Sequence, residues 1–146
     1  MNKRYSMDRD LRTLVLKYVR KYEEYRQWYL LEKERIGGMQ AIKYDGMPKA
    51  KNVVDRTLWE VLAREKLENS HRARVVNCID EAKENIGRGS YVGKAKESLA
   101  NAIWLSCMDG SQYNFEAFSG MIPCERAMFY RYKNMFLNDI KEGLGL

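Results

Sequence analysis

Proline is nearly missing from this chain: of 146 residues only Pro48 and Pro123 are proline, so long stretches lack the residue that most firmly stops a helix. Histidine occurs once, at His71, and a carboxylate-bridged di-metal site needs two Glu-x-x-His pairs where this chain has one, Glu68 with His71. The three cysteines, Cys78, Cys107 and Cys124, are too widely spaced for a close zinc pair, and their odd number argues against a disulfide framework. Reduced, mostly buried thiols are expected. No uncharged apolar run approaches the ~18 residues of a membrane span, and no signal-like apolar stretch follows the charged N-terminus. The expectation is a cytoplasmic protein with no membrane partner.

Catalytic constellations are equally sparse. Gly87-Arg88-Gly89 lacks the lysine and hydroxyl of a phosphate-binding loop, and no strand pattern precedes it. Cys124 sits just before the last helical pattern, where a helix dipole lowers a thiol pKa, but no histidine is near in sequence to act as its base. Asp80, Glu81 and Glu84 cluster within one turn beside Lys83 and read as surface charge. We expect no enzyme, no metal and no cofactor.

What the chain does have is 45% apolar residues, enough for a core, and 26 Lys and Arg against 20 Asp and Glu, a formal charge of +6. That balance favours polyanionic partners without specifying one. From Asp8 to Ile36 there is neither proline nor glycine. Leu11, Val15, Tyr18, Tyr22, Tyr25, Tyr29 and Ile36 recur in steps of four and three, with Glu32 out of character, which predicts one stripe of a long amphipathic helix ended by Gly37 and Gly38. Its seam is rich in Tyr where a dimeric zipper prefers Leu and Ile, so packing within the chain and homodimerisation both stay open.

The segment boundaries follow: an N-terminal helix over 1–38, a linker over 39–54 containing Gly46 and Pro48, and a helical domain over 55–146. Asp55 is the expected N-cap of a long central helix, with Val54 and Trp59 as its hydrophobic staple. Leu58, Leu62, Val75, Val76, Ile79, Ala82 and Ile86 form its stripe, and the polar middle, Glu65 to Arg74, marks a candidate break near Asn69 and Ser70. A third helix fits Lys94 to Met108, with Leu99, Ala102, Ile103 and Ser106 on one side. The fold class is all-α.

The last third predicts a short helix at Asn114–Ser119, a tight Gly120–Pro123 connection, and a helix from Glu125 to Lys141 with Phe129, Tyr132, Phe136 and Ile140 on one face. Two helices joined by a turn over 114–141 outline a helix-turn-helix, and an ordinary helical hairpin has the same outline. Projected at about 100° per residue, Met135 joins the inward face, while Ala127, Tyr130, Arg131, Asn134, Asn138 and Lys141 point outward without an acidic residue. Arginine pairs with guanine and asparagine with adenine, so that face has chemistry for a major groove, with Arg126 and Lys133 flanking toward the phosphates.

The segment Ile122-Pro-Cys-Glu-Arg-Ala-Met-Phe-Tyr-Arg-Tyr-Lys133 resembles the recognition-helix entry of small phage-encoded transcriptional regulators of the RinA and ArpU type, whose DNA-binding region is similar to the last one of sigma factors. The loop from Gly46 to Thr57 is similar to the Gly/Pro-containing linker of those proteins. The chain departs from their pattern at Met121, where a turn glycine is usual, and at Glu125, which replaces a small hydroxyl residue as helix cap. The resemblance implies a phage or prophage regulator of late genes that binds double-stranded DNA, with host RNA polymerase as a second partner. The alternative is a helical adaptor, or a small phage assembly or packaging component, that binds protein rather than DNA. The expected DNA-binding residues are Arg126, Ala127, Tyr130, Arg131, Lys133, Asn134 and Lys141.

Overall fold

A computed structural model of the chain describes residues 7–42 and 49–146. Among these residues there are five α-helices, one turn of 3-10 helix and no strand. In chain order they are α1 (Arg9–Ile42), α2 (Lys49–Glu68), α3 (His71–Glu84), α4 (Gly93–Met108) and α5 (Arg126–Gly143), with the 3-10 turn at Phe115–Phe118. The fold is all-α with a long N-terminal helix, as the periodicity predicts. No helix among the described residues is long and apolar enough to cross a membrane.

Three boundaries differ from expectation. α1 does not end at Gly37 and Gly38 but runs on to Ile42. Gly37 keeps a negative φ and so does not turn the chain out of the helix. A mid-helix glycine costs roughly 1 kcal/mol relative to alanine, which a helix of 34 residues tolerates. Of the expected linker over 39–54, residues 39–42 belong to α1 and residues 49–54 to α2, and the rest lies outside the described residues. Asp55 is therefore inside α2 rather than at its N-cap, so the staple built around that cap does not apply. The central helix is broken where the polar middle marks it. Ser70 Oγ donates to Leu67 O at 2.6 Å and accepts from Ala73 N at 3.4 Å, so one hydroxyl both closes α2 and caps α3.

The backbone divides into two compact units, one made of Met1–Tyr22 with Asn77–Leu146, the other of Glu23–Val76. In the first unit, Val15 and Val19 of α1, Ile79 and Ala82 of α3, Leu99 and Ile103 of α4, and Phe129, Phe136, Leu137 and Ile140 of α5 are all buried. Aromatic edges lock these helices together: Trp104 meets Tyr22 at 5.0 Å and Phe136 at 6.3 Å, ring centroid to ring centroid. Lys83 lies over the same Trp104 ring at 5.0 Å, and the Tyr22 hydroxyl donates to Asp80.

The second unit has a small core of Tyr29, Ile36, Leu67 and Ala73, against which Trp28, Trp59 and Ala63 pack. The Tyr29 hydroxyl donates to Glu68, and the Arg72 guanidinium lies over the rings of Tyr25 and Trp28 at 5.6 and 5.2 Å. On α2 the inward row is Trp59, Ala63 and Leu67, at helical spacing. Leu58 and Leu62, expected inside, are instead 57% and 55% exposed, and Val61 beside them is 54% exposed. The α1 stripe holds throughout: each of its seven members is buried or half-buried.

Candidate nucleic-acid interface

α5 is the element the sequence singles out, and its N-terminal end is held by aromatics from the segment before it. Phe115 and Phe118 of the 3-10 turn pack on Phe129 at 5.8 and 6.3 Å, and Tyr113 stacks on Phe118 at 6.1 Å. The Tyr130 hydroxyl accepts from Phe115 N at 3.4 Å. The turn itself is capped by Asn114, whose side chain accepts from Ala117 N at 3.2 Å. At the far end, Gly145 N donates to Glu142 O and Leu146 N to Lys141 O, a Schellman pair that closes α5. The first member of the expected helix pair is thus one 3-10 turn rather than an α-helix. The full helix preceding α5 is α4, seventeen residues upstream.

The predicted face divides into two halves. In the first two turns Arg126, Ala127 and Arg131 are exposed and Tyr130 is half-buried. Arg126 pairs with Glu116 at 2.5 Å and lies over the Tyr130 ring at 5.7 Å, so the 3-10 turn brings a carboxylate to a face whose own positions carry none. Glu125, at the N-cap, makes no side-chain cap bond, in keeping with glutamate's poor record in that role.

In the second half the face is covered. Asn138, expected outward, is only 6% exposed. Asn134 Oδ1 accepts from Arg12 Nη1 of α1 at 2.8 Å, so part of its pairing capacity is already used within the fold. Lys141 is half-buried near the helix end.

Lys133 is the clearest correction. Expected to flank the phosphates, it is 8% exposed, and its ammonium donates to Ser106 Oγ at 2.9 Å and to Ser106 O at 3.3 Å. Ser106 lies in the last turn of α4, where carbonyls lack helical partners and the dipole favours a cation, so Lys133 closes α4 from α5. Burial, seconded by Arg12 and Arg20, pushes its pKa down. Arg12 and Arg20 are the residues sequence reading missed here: on α1 they look like ordinary solvent-side charge, and only the tertiary fold brings Arg12 to Asn134 of α5 and Arg20 within electrostatic reach of Lys133.

The cysteines, the histidine and the acidic cluster lie apart or carry raised pKa values among the described residues. Burial pushes the Cys107 thiol up to about 11, against the pull of Lys133, Arg12 and Arg20, and raises Cys124 and Cys78 as well. Glu68 ends α2 and His71 begins α3, so the pair does not share one helix face. No group of three or more His, Cys, Asp and Glu fit to hold a metal occurs among the described residues. Cys78, Glu81, Asp139 and Glu142 line one small depression on the α3 and α5 side, and desolvation, then Glu142 and Glu81, raises Asp139. No protein-family model, curated protein or solved structure matches the chain.

Proposed function

We propose that this chain is a non-enzymatic regulator that binds double-stranded DNA through the N-terminal half of α5. The observation that carries this reading is the firmly anchored group of exposed Arg126, Ala127 and Arg131 with half-buried Tyr130, on a helix whose opposite face is buried. Helices that enter a major groove contact base edges with their N-terminal residues, and Arg131 has the bidentate donors that guanine matches. A charge of +6 supplies attraction to the backbone. The likeness of Ile122 to Lys133 to phage regulators of the RinA and ArpU type supports late-gene control in a bacterial cytoplasm with RNA polymerase as a partner.

Titrating the protein electrophoretically against DNA from its own gene neighbourhood, at two salt concentrations, tests this directly. A salt-sensitive shift is expected, and Arg131→Ala should cost about 1–3 kcal/mol on the true site while flattening preference among sequences. Equal binding of Arg131→Ala and wild type to every duplex would remove α5 as the reading helix.

One observation favours a second reading, a helical adaptor. Leu58, Val61 and Leu62 on α2, with Leu31 on α1, are large apolar side chains more than half exposed in a unit whose own core is small. A salt-insensitive protein complex with no DNA shift would select it. Self-association along α1 is a third outcome, read by sedimentation.

A further inference from the structure

We infer that Arg12 and Arg20 of α1 are phosphate-contacting residues of the duplex interface, taking the role that sequence position alone gives to Lys133. The inference rests on the DNA-binding reading of α5 and extends it to a second helix. Arg12 is fixed against the outer face of α5 by its bond to Asn134 at 2.8 Å. That bond uses one of the five N–H donors of the guanidinium, leaving others for an anion. Arg20 is exposed and lies within electrostatic reach of Lys133, Cys107 and Asp109.

Three cations thus gather at the C-terminal end of α4 without an ion-pair partner among the described residues. Asp109, a carboxylate within reach of Arg20, has its Oδ1 held by Ser111 N, Ser111 Oγ and Gln112 N at 2.9 to 3.2 Å and forms no direct ion pair with these cations, so one carboxylate stands against three positive charges. Gathering like charges costs free energy that a bound polyanion offsets, and the polyanion that the α5 face selects is a phosphodiester backbone. Arg12 and Arg20 are separated by about 12 Å along α1, which suits two different phosphates rather than one.

The test is the salt dependence of binding of the full chain to a labelled duplex of random sequence, for Arg12→Gln, Arg12→Lys, Arg20→Gln and Lys94→Gln. Lys94 is an exposed charge in the first turn of α4, about 20 Å along that helix from Asp109, and controls for net charge. Arg12→Gln and Arg20→Gln should each lower the slope of log affinity against log salt by about one unit. Arg12→Lys should restore the slope, Lys94→Gln should leave it unchanged, and Arg20→Gln should melt at the wild-type temperature. Wild-type slopes in both glutamine variants, with Arg131→Ala still weakened, would overturn the inference and leave α5 as the interface. An equal fall for Lys94→Gln would overturn it too, by showing bulk charge alone. A wild-type chain that fails to shift any duplex would overturn the DNA reading itself and this inference with it.

Discussion

Two side chains show how far a residue's neighbours, and not its type, decide what it does. Lys133 is a lysine on a basic chain and reads as a phosphate ligand, yet the fold spends it on the last turn of α4. Lys133→Ala should therefore act on stability, costing about 1–3 kcal/mol in a urea melt because Ser106 O loses its donor in a buried place. DNA affinity per folded molecule should stay unchanged, and a loss of affinity in a fully stable variant would return Lys133 to the interface. Asp139 makes the opposite case, an acid made costly by partial burial and then by its neighbours Glu142 and Glu81. Its pKa is raised in the folded chain, so the folded state holds the proton more tightly than the unfolded one. The penalty is absent below the ordinary carboxylate range and grows as pH rises through the raised value. Asp139→Asn should accordingly unfold at higher urea than wild type at neutral pH, with the difference vanishing in acid; a pH-independent gap would mean that charge is not the cause.

The elements were legible to the degree that one periodicity governed them. The α1 stripe, the buried side of α4 and the inward row of α5 follow from spacing alone, because each buries one face along its whole length. The α2 row was misplaced by a single step, Leu58 and Leu62 for Trp59, Ala63 and Leu67, since both rows are apolar at the same spacing and only the partner helix decides between them. Glycine at 37 and 38 misled because its freedom permits a helix end without requiring one. The outer face of α5 was half right: spacing identifies the side away from the core, but cannot show that α1 reaches Asn134. The cap of α5 gives a check at this scale. Glu125→Ser supplies the side-chain acceptor that Glu125 does not, so the melting temperature should rise, with a gain of about 1 kcal/mol. On the DNA-binding reading duplex affinity should rise as well, because a negative charge leaves the proposed interface; unchanged stability would show that the first turn is satisfied in another way.

At the scale of the molecule, sequence segments and compact units do not coincide. The first unit takes Val15 and Val19 from near one end of the chain and Phe136 and Ile140 from near the other, a closure no local pattern announces. Removing Met1–Tyr22 should expose apolar surface in what remains, at about 1.5–3 kcal/mol for each of the two buried valines. Increased dye binding and a lower melting temperature are expected. A remainder with an unaltered melt would make the front of α1 a separable arm and favour the adaptor reading.

That arrangement also sets a timetable for synthesis. Glu23–Val76 is contiguous, so every residue it needs has been made once Val76 is added. The unit that carries α5 has to wait: its Arg12 partner is made early, but Asn134 emerges 122 residues later. At typical rates of about 5–20 residues per second, the front of α1 waits several seconds or more for the part of its packing surface that α5 supplies. Nascent chains stalled before α5 should thus leave Val15 and Val19 incompletely covered and open to chaperones, and release of that hold should coincide with the arrival of α5. The first unit could not then close before α5 had been made.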